Sequence, residues 1–237
     1  MKAIIMAAGV GSRLSRHFGD IPKCCIQIKS ESLINRSVRL LNNYGVNDIS
    51  VIVGYNKNMT IDALSDHSIK YYDNPFYRKT NSIASLWFAM KELQNSDDDI
   101  LLLNADLFYE AKMLEEILES ENEIELYADS RRKEEADYKL YYKDNILIEY
   151  GKNLPIEKIT GEYIGIAKLK KDSLPEFSRK ITQLIDSGES DMWWEDVLYT
   201  MSDEGSDIHV KDLNTYFWAE IDFVEDYNRI IEYVESE

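Results

Sequence analysis

The sequence predicts an α/β fold built on one mixed, mainly parallel sheet flanked by helices. Short apolar segments alternate with amphipathic ones as far as residue 106, and this alternation is typical of parallel strands joined by crossover helices. Strand-like segments with little helix between them follow residue 123, which indicates a small β-rich extension. With 237 residues, 44% of them hydrophobic, the chain can bury the core of such a Rossmann-like domain.

The elements of the first half are predicted from hydrophobic periodicity. Buried strands are expected at 2–7, 49–54, 69–72 and 100–103, and helices at 33–43, 59–64 and 81–93. The last helix carries an apolar stripe, with Thr80 or Asn81 as its N-terminal cap. Ligands of parallel sheets bind beyond the carboxyl ends of the strands. We therefore expect the loop after the first strand and Asp106, after the fourth, to share one site.

The second half is predicted to be a hairpin-rich region followed by helices. Strands are expected at 125–128, 138–142, 146–150 and 163–169, a turn at 143–145, helices at 172–187 and 193–202, a strand near 215–220 and a helix from Asp222. No internal repeat, low-complexity tract or linker interrupts the sequence. One domain spanning 1–237 is therefore predicted, with 127–160 as its extension.

A loop of small residues follows the first strand. Its members are Ala7, Ala8, Gly9, Gly11 and Ser12. Small residues let backbone N–H groups approach an anion closely, and Arg13 and Lys23 can supply positive charge. Glycines alone would fit an ordinary strand-to-helix turn, but here a strand, an arginine and Pro22-Lys23 occur together. Because the loop lacks the Lys-Ser/Thr ending of a Walker loop and the GxGxxG spacing of dinucleotide folds, it predicts another kind of nucleoside-triphosphate site.

The net charge of −17 narrows the ligands that the chain can bind. Such a surface repels nucleic acid and anionic membranes, and neither is expected as a partner. It would also repel a triphosphate, so binding one requires local cations and a divalent metal. Asp106 and Asp222 both follow predicted strands, and paired carboxylates suit Mg²⁺, which prefers oxygen ligands. For Asp222 a helix cap is an alternative explanation.

The remaining composition predicts a cytoplasmic protein. No apolar run approaches the length of a membrane span, and Met1-Lys2 leads directly into a strand with no signal-peptide pattern. Cys24 and Cys25 are adjacent. Neighbouring cysteines do not easily form a relaxed disulfide, and two sulfurs do not make a zinc site. Both are expected to be small buried residues rather than redox groups.

Several motifs resemble those of the nucleotidyltransferases that make nucleotide-sugars and CDP-alcohols. The loop sequence MAAGVGSRL with the following PK resembles their signature loop, and LNAD at 103–106 resembles their metal-binding aspartate motif. AEID at 219–222 and GEYIGI at 161–166 resemble the second metal segment and the acceptor-side strand. The segment from Asn74 to Leu86 and the EID sequence are similar to those of small bacterial phosphocholine and phosphonate cytidylyltransferases.

This resemblance implies transfer of CMP from CTP to a small phosphate or phosphonate that bears an amine or quaternary nitrogen. Phosphocholine, an aminoalkylphosphonate and a phosphorylated amino-acid amide are the implied acceptors. Pyrophosphate would leave, and the CDP-activated product would serve surface polysaccharide biosynthesis. Mg²⁺ on Asp106 and Asp222 is the implied cofactor, with Arg13 and Lys23 on the triphosphate. Lys152 is a candidate cation for the attacking phosphate, although a surface lysine is the alternative.

Two further groups of residues complete the expected site. Thr80, Asn81, Ser82 and Ala105 are assigned to the nucleotide. The acceptor side is expected to comprise the extension together with Tyr138, Glu162, Trp193, Trp194, Glu195 and Asp196. Aromatic faces beside carboxylates suit an ammonium group, although Trp193-Trp194 would also suit the start of a core helix.

Two other functions fit part of the same pattern. One is a sugar-1-phosphate nucleotidyltransferase that uses UTP or dTTP, since the choice of cytosine rests on the resemblance alone. The other is a non-catalytic regulatory module that binds nucleotide. The presence of Arg13, Lys23, Asp106 and Asp222 together argues against it. A monomer or a homodimer is expected.

Overall fold

The computed structural model describes residues 1–236. Its strands are β1 (Lys2–Ala7), β2 (Gln27–Ile28), β3 (Glu31–Ser32), β4 (Asp48–Val53), β5 (Ile69–Asp73), β6 (Ile100–Asn104), β7 (Leu107–Tyr109), β8 (Ile124–Asp129), β9 (Lys139–Lys143), β10 (Ile146–Gly151), β11 (Gly161–Leu169), β12 (His209–Asp212) and β13 (Trp218–Glu220). Its helices are α1 (Ser15–Phe18), α2 (Leu33–Asn43), α3 (Lys57–Ala63), α4 (Ser82–Phe88), α5 (Met90–Gln94), α6 (Ala111–Leu118), α7 (Leu174–Asp186), α8 (Asp196–Asp203) and α9 (Val224–Ser236).

Nine of these strands form one sheet in the order β5-β4-β1-β6-β11-β8-β12-β10-β9. Within the described sheet, β11 and β10 run opposite to the other strands. The carboxyl ends of β5, β4, β1 and β6 therefore meet along one edge. In register, Met6 of β1 pairs with Asn104 of β6, and Ile166 of β11 pairs with Leu103. This mixed α/β sheet confirms the predicted fold class.

The hairpin of β9 and β10 extends the same sheet. β10 pairs with β12, and β9 pairs with β10 and with the start of β11. Asp144 and Asn145 turn the hairpin with positive φ angles of 51° and 63°, as a two-residue type I′ turn requires. Because β11 begins where β6 ends, the hairpin is brought to the edge at which the parallel strands end.

Sequence periodicity did not indicate β7, α6 or β12. β7 has three residues and pairs with β13 in a small second sheet. β12 has one buried residue, Val210, so its hydrophobic pattern is weak. The helix predicted at 81–93 is divided at Ala89 into α4 and α5. Asn81, one of its two predicted caps, accepts a hydrogen bond at Oδ1 from the N–H of Ser82 at 2.9 Å.

The main sheet buries an apolar layer on each face. One layer contains Phe177 of α7 and Leu198 of α8, and the other contains Val38 of α2 and Met113 of α6. Full burial of a side chain such as Phe177 stabilises the fold by about 1.5–3 kcal/mol.

Composition predicted that the two cysteines are small buried residues and that no segment is long and apolar enough to span a membrane. Cys24 and Cys25 are buried with free thiols, and their sulfurs lie 3.6 and 3.7 Å from Oγ1 of Thr60. They are therefore small buried residues, as expected. No helix within residues 1–236 combines the length and the apolar character needed to cross a bilayer.

Candidate active site

A cavity of about 510 Å³ opens at the edge where the parallel strands end. This volume lies within the range of small-molecule sites, about 300–1,000 Å³. Its walls come from the loop after β1, the start of α4, the ends of β6 and β13, the start of β11, the residues on either side of the β9–β10 hairpin and the segment before α8. The predicted site residues that line it are Ala8, Gly9, Gly11, Arg13, Lys23, Thr80, Asn81, Ser82, Asp106, Tyr138, Lys152, Glu162, Trp193, Glu195 and Asp222.

Three further predicted site residues, Ala7, Ser12 and Ala105, are not among the described residues that line this cavity. Ala7 and Ala105 line a smaller cavity of about 130 Å³, which shares Lys23 and Asp106 with the first. Ser12 lies in the 3₁₀ turn Ser12–Leu14, and its side chain is outside the described part of the structure. The predicted phosphate loop and metal aspartates are thus brought together at one edge of the sheet.

Glycines shape the loop after β1. Gly11 has a positive φ of 61°, and a Cβ there would lie 2.5 Å from Cγ of Lys23. The stem of Lys23 therefore runs through space that a side chain at position 11 would fill. Gly54, directly after β4, also permits a close approach, because a Cβ there would lie 2.8 Å from the carbonyl oxygen of Ala8. The N–H of Tyr55 donates to that oxygen at 3.1 Å, so β4 holds the loop in place.

Lys23 joins the two aspartates that the sequence assigned to a metal. Its Nζ lies 3.3 Å from Oδ2 of Asp106 and forms an ion pair with Oδ1 of Asp222. Nη1 of Arg13 lies 3.3 Å from Oδ2 of Asp222. Burial alone would lower the pKa of Lys23, but the two carboxylates outweigh it and raise that pKa above its usual value. The ammonium group therefore stays charged in the cavity.

The donor set of the two aspartates fits a divalent metal ion. Both carboxylates reach one cationic centre, the ammonium of Lys23, so their oxygens converge on a common point. No cluster of three or more His, Cys, Asp and Glu side chains suited to a metal occurs within residues 1–236. The protein would thus supply two carboxylates. Mg²⁺ is bound in this way in many proteins, since it keeps several waters and takes further ligands from substrate phosphates.

Hydrogen bonds at the start of α9 show whether the side chain of Asp222 caps the helix or points into the cavity. Oδ2 of Asp226 accepts hydrogen bonds from the N–H groups of Asp222 and Phe223, at 3.1 and 2.9 Å. Asp226 stands at the third position of the helix, from which a side chain can reach back to the exposed N–H groups. The carboxylate of Asp222 instead contacts Lys23 and Arg13. Its side chain belongs to the cavity rather than to the helix cap.

Polar groups at the start of α4 form another wall. Oγ1 of Thr80 donates to the carbonyl oxygen of Phe76 at 3.1 Å and accepts from Nδ2 of Asn74 at 3.2 Å. The same amide group of Asn74 donates to Oγ of Ser85 at 2.9 Å. These bonds fix the turn that precedes the helix. Thr80, Asn81 and Ser82 are consequently held at the cavity.

Aromatic rings and a lysine form the wall nearest the hairpin. Tyr138 stacks on Tyr199, with ring centroids 5.3 Å apart, and meets Trp193 edge-on at 6.2 Å. Nζ of Lys152 lies 5.1 Å from the centroid of the Trp193 ring and 2.7 Å from Oδ2 of Asp137. Lys152 is therefore an exposed lysine that lines the cavity and is held by an ion pair and a cation–π contact, and its role toward the acceptor stays a prediction.

Two carboxyl groups of the cavity have pKa values raised above their usual range. Glu195 is 7% exposed, and its Oε2 has no hydrogen-bond partner within the described residues. Burial raises the pKa of Glu195 to about 8. Glu220 accepts a hydrogen bond at Oε1 from Nδ2 of Asn104 at 3.1 Å. Burial, together with the charges of Asp106 and Asp222, raises the pKa of Glu220 well above its usual range.

Glu162 lines the cavity, but its carboxylate is already bonded. Its Oε2 lies 2.6 Å from Nε of Arg132, and its Oε1 accepts from the N–H of Asp137 at 3.0 Å. Burial raises the pKa of Glu162, while both of these contacts oppose that effect. The carboxylate thus fastens the strand β11 to the segment before the hairpin. A direct contact of Glu162 with an acceptor stays a prediction.

Two residues that the sequence assigned to the acceptor do not line the cavity. Trp194 is fully buried in the core, where its large apolar ring is removed from water. Asp196 accepts hydrogen bonds from the N–H of Trp193 at 2.8 Å and from the hydroxyl of Tyr138 at 3.4 Å. It fastens the first turn of α8, which begins at Asp196 rather than at 193. Of the two explanations of Trp194, core packing is therefore the correct one.

Other cavity residues had been given no role from the sequence. They include Tyr77, Ser85, Asn104, Asp137, Tyr163 and Glu220. Asn104 and Glu220 each precede a predicted metal aspartate by two residues. Because side chains two apart along an extended chain share a face, that spacing was the available signal. The others come together through tertiary packing.

A loop of small residues, two cations and a pair of aspartates around one cavity are an arrangement suited to nucleotidyl transfer, and this fold and site indicate a protein of that class. The chain belongs to the MobA-like NTP transferase domain family, whose domain matches residues 3–150. The matched residues include the loop after β1, the start of α4 and Asp106. The chain is thus a nucleotidyltransferase, which confirms the family predicted from its motifs.

Named relatives align along most or all of the chain. It is 27% identical over 239 residues to the choline-phosphate cytidylyltransferase of Streptococcus pneumoniae, with 100% of both chains covered. It is 29% identical over 192 residues to the CTP:phosphoglutamine cytidylyltransferase of Campylobacter jejuni, covering 74% of this chain and 76% of that relative.

Solved structures share the fold along nearly the whole chain. The CTP:phosphocholine cytidylyltransferase from Streptococcus pneumoniae superposes with a TM-score of 0.78 at 22% identity, covering 98% of both chains. The inositol-1-phosphate CTP transferase from T. maritima also gives a TM-score of 0.78, at 20% identity and with 98% and 94% covered. At these identities the likeness establishes the fold alone.

Proposed function

We propose that the protein is a CTP-dependent cytidylyltransferase whose acceptor is a small phosphate or phosphonate with a positively charged nitrogen. The observation that carries this proposal is the buried carboxyl of Glu195, whose Oε2 lacks a partner within the described residues. It lies in the same cavity as Lys23 and the two aspartates. A cation on the acceptor would satisfy this oxygen. The relatives named for CTP, phosphocholine and phosphoglutamine support the same choice of substrates.

The chemistry needs little from protein side chains beyond charge and position. An oxygen of the acceptor phosphate would bond to the α-phosphorus of CTP while the bond to pyrophosphate breaks. Because that oxygen is already an anion, no side chain has to remove a proton. The main tasks are to hold two anions together and to neutralise their charge. Mg²⁺ bound by Asp106 and Asp222 would supply additional positive charge at the phosphates.

The residues of the loop would bind the triphosphate. Backbone N–H groups near Gly9 and Gly11 can approach phosphate oxygens, and Arg13 and Lys23 bring two positive charges to the same cavity. These cations would attract the phosphates at short range, within a chain of net charge −17. The polar groups of residues 80–82 would contact the base.

The residues that flank the hairpin and the segment before α8 would bind the acceptor. Tyr138 and Trp193 offer aromatic faces and edges to an ammonium group, and Glu195 offers a buried carboxyl group that a bound cation would favour in its ionised form. Glu220 adds a second carboxyl group to this wall. In the free protein Lys152 forms an ion pair with Asp137, which lines the same cavity. When the acceptor binds, Lys152 would leave Asp137 and contact the acceptor phosphate.

A pyrophosphate-release assay with a panel of triphosphates and acceptors tests the proposal. CTP, UTP and dTTP are each combined with phosphocholine, phosphoethanolamine, 2-aminoethylphosphonate, phosphorylated amino-acid amides, neutral phospho-alcohols and hexose 1-phosphates. We expect CTP with a cationic acceptor to exceed its neutral analogue by at least about tenfold in kcat/KM, since a cation–π contact and a charge-assisted bond would both be lost.

Other results would lead to different conclusions. Equal or better rates with hexose 1-phosphates and UTP or dTTP would replace the proposal with a sugar nucleotidyltransferase. Tight binding of CTP with no turnover on any acceptor would indicate a regulatory nucleotide-binding module.

A further inference from the structure

Trp194 lies at a junction between three parts of the cavity wall. Its backbone N–H donates to Oγ of Ser82, at the start of α4, at 2.8 Å. Its indole Nε1 donates to Oδ1 of Asn104, at the end of β6, at 2.9 Å. The amide of Asn104 then donates to Oε1 of Glu220, the last residue of β13, at 3.1 Å. One buried residue, through its backbone N–H and its side chain, thus connects the segment before α8 to two other walls.

Backbone hydrogen bonds strengthen the connection to α4. The N–H of Asn81 donates to the carbonyl oxygen of Ser190 at 2.9 Å, and the N–H of Ile83 donates to that of Met192 at 3.2 Å. The segment from 190 to 194 therefore follows the start of α4 over three hydrogen bonds. These bonds set the position of the segment against the start of α4.

The amide of Asn104 has little freedom to move. A Cβ at Gly165 would lie 2.9 Å from its Nδ2, and Gly165 has a positive φ of 86°. The strand β11 thus passes so close to Asn104 that a side chain at position 165 would displace it. With its oxygen bonded to Trp194 and its nitrogen bonded to Glu220, the orientation of the amide is fixed.

We propose that Trp194 is a positioning residue, which sets the acceptor wall against the start of α4 and orients Glu220 through Asn104. The neighbours of Trp194 on both sides, Trp193 and Glu195, line the cavity. A shift of Trp194 would therefore move both of these residues. Loss of the indole N–H would leave the oxygen of Asn104 unpaired and release the amide that orients Glu220. The proposal rests on the proposed function, because it concerns the wall assigned there to the acceptor.

Two variants and a matched control test this role. Trp194→Phe keeps an aromatic ring but removes the Nε1 donor, and Ser82→Ala removes the acceptor of the backbone bond. The control is Tyr127→Phe, a fully buried aromatic residue whose hydroxyl donates to the carbonyl oxygen of Ile117 at 3.1 Å and which does not line the cavity. Like Trp194→Phe, it removes one buried donor.

The first measurement needs no substrate. Amide hydrogen exchange of the free protein is followed in residues 190–195. We expect exchange there to rise at least about fivefold in both test variants and to stay unchanged in the control, because local opening follows the loss of local hydrogen bonds. Unchanged exchange in Trp194→Phe and Ser82→Ala would overturn the proposal.

The second measurement separates positioning from general stability. In Trp194→Phe we expect the KM of the acceptor to rise about tenfold, while the Kd of CTP changes less than about twofold, since misplacing binding groups by a fraction of an ångström weakens binding. The result would be different if Trp194→Phe weakened the binding of acceptor and of CTP equally, and if Tyr127→Phe did the same at an equal decrease in Tm. Trp194 would then be a packing residue only. If the wild-type protein uses no acceptor, the proposed function fails, and the exchange measurement alone decides the role of Trp194.

Discussion

The carboxyl group of Glu195 makes stability depend on pH. In the folded protein burial raises its pKa from 4.5 to about 8. Between these values the folded protein keeps a proton that the unfolded chain has released. The stabilisation associated with this proton is fully present below the lower value and is lost as pH rises through the upper one.

Replacing Glu195 by Gln should therefore stabilise the free protein at alkaline pH. At about pH 5 the two proteins should have nearly equal Tm values, and at about pH 9 the variant should be higher by about 4 °C or more. Calorimetry at both pH values measures the difference. Glu189→Gln, at an exposed position, is the control and should show no pH-dependent difference. A constant difference at both pH values would contradict the shifted pKa.

The two aspartates of the cavity should be essential for turnover. Asp106→Asn and Asp222→Asn should each lower kcat by about a hundredfold or more at saturating Mg²⁺, because each removes a charge that would hold the metal. Steady-state pyrophosphate release measures kcat, and Asp186→Asn, at an exposed position on α7, is the matched control. Near wild-type turnover of Asp222→Asn would exclude a metal-binding role for Asp222.

Among the elements, the loop after β1 depends on the absence of a side chain at Gly11. Gly11→Ala adds a Cβ that lies within 2.5 Å of the Lys23 stem, and Gly11→Val adds more. We expect the alanine variant to weaken binding of CTP with Mg²⁺ by at least about tenfold and the valine variant to abolish it, since Lys23 must leave its position. Calorimetric titration gives the affinity.

Gly45→Ala is the control that distinguishes the steric clash with Lys23 from the strain of a left-handed backbone. Gly45 also has a positive φ, of 83°, but a Cβ there would meet no atom of the described residues within 4 Å. Both alanine variants should lose about 1–2 kcal/mol of stability from the left-handed backbone. CTP affinity should fall in the Gly11 variant alone. An equal fall in both would assign the effect to general destabilisation.

The elements with strong periodicity could be predicted from the sequence, and the short ones could not. β1 and α2 have the same bounds as their predictions, because continuous apolar strands and amphipathic helices carry their pattern locally. β7 and β12 become strands through their pairing with β13 and with β8. That pairing is tertiary, so a local pattern does not contain it.

In the candidate site, too, some residues could be predicted from local sequence and others could not. The loop, Lys23 and the two aspartates could be found because motif spacing places them at strand ends. Which of two adjacent tryptophans faces the cavity could not be found, since Trp193 and Trp194 differ in exposure only after α8 packs on the sheet. The unpaired oxygen of Glu195 also depends on that packing.

Across the whole molecule, the charge of −17 opposes the approach of CTP. Raising ionic strength from about 0.01 M to 0.15 M shortens the screening length from about 30 Å to 8 Å. The association rate of CTP should therefore increase about two- to tenfold over this range. Stopped-flow binding measures the rate, with uncharged cytidine as the control whose association should not change. A rate that falls with salt would mean that the cations of the cavity dominate at long range.

The strand β11 also limits how the molecule can move during turnover. It pairs with β6 on one side and with β8 and β9 on the other, so a single hydrogen-bonded surface supports both walls of the cavity. Hinged enzymes close by rotating one domain against another about a few loop residues. A continuous sheet does not permit such a rotation without breaking strand pairs. Closure of the cavity by a hinge motion between two domains is therefore not expected. We instead expect the passage of substrate and product to depend on movements of exposed side chains that line the cavity, such as Trp193 and Lys152.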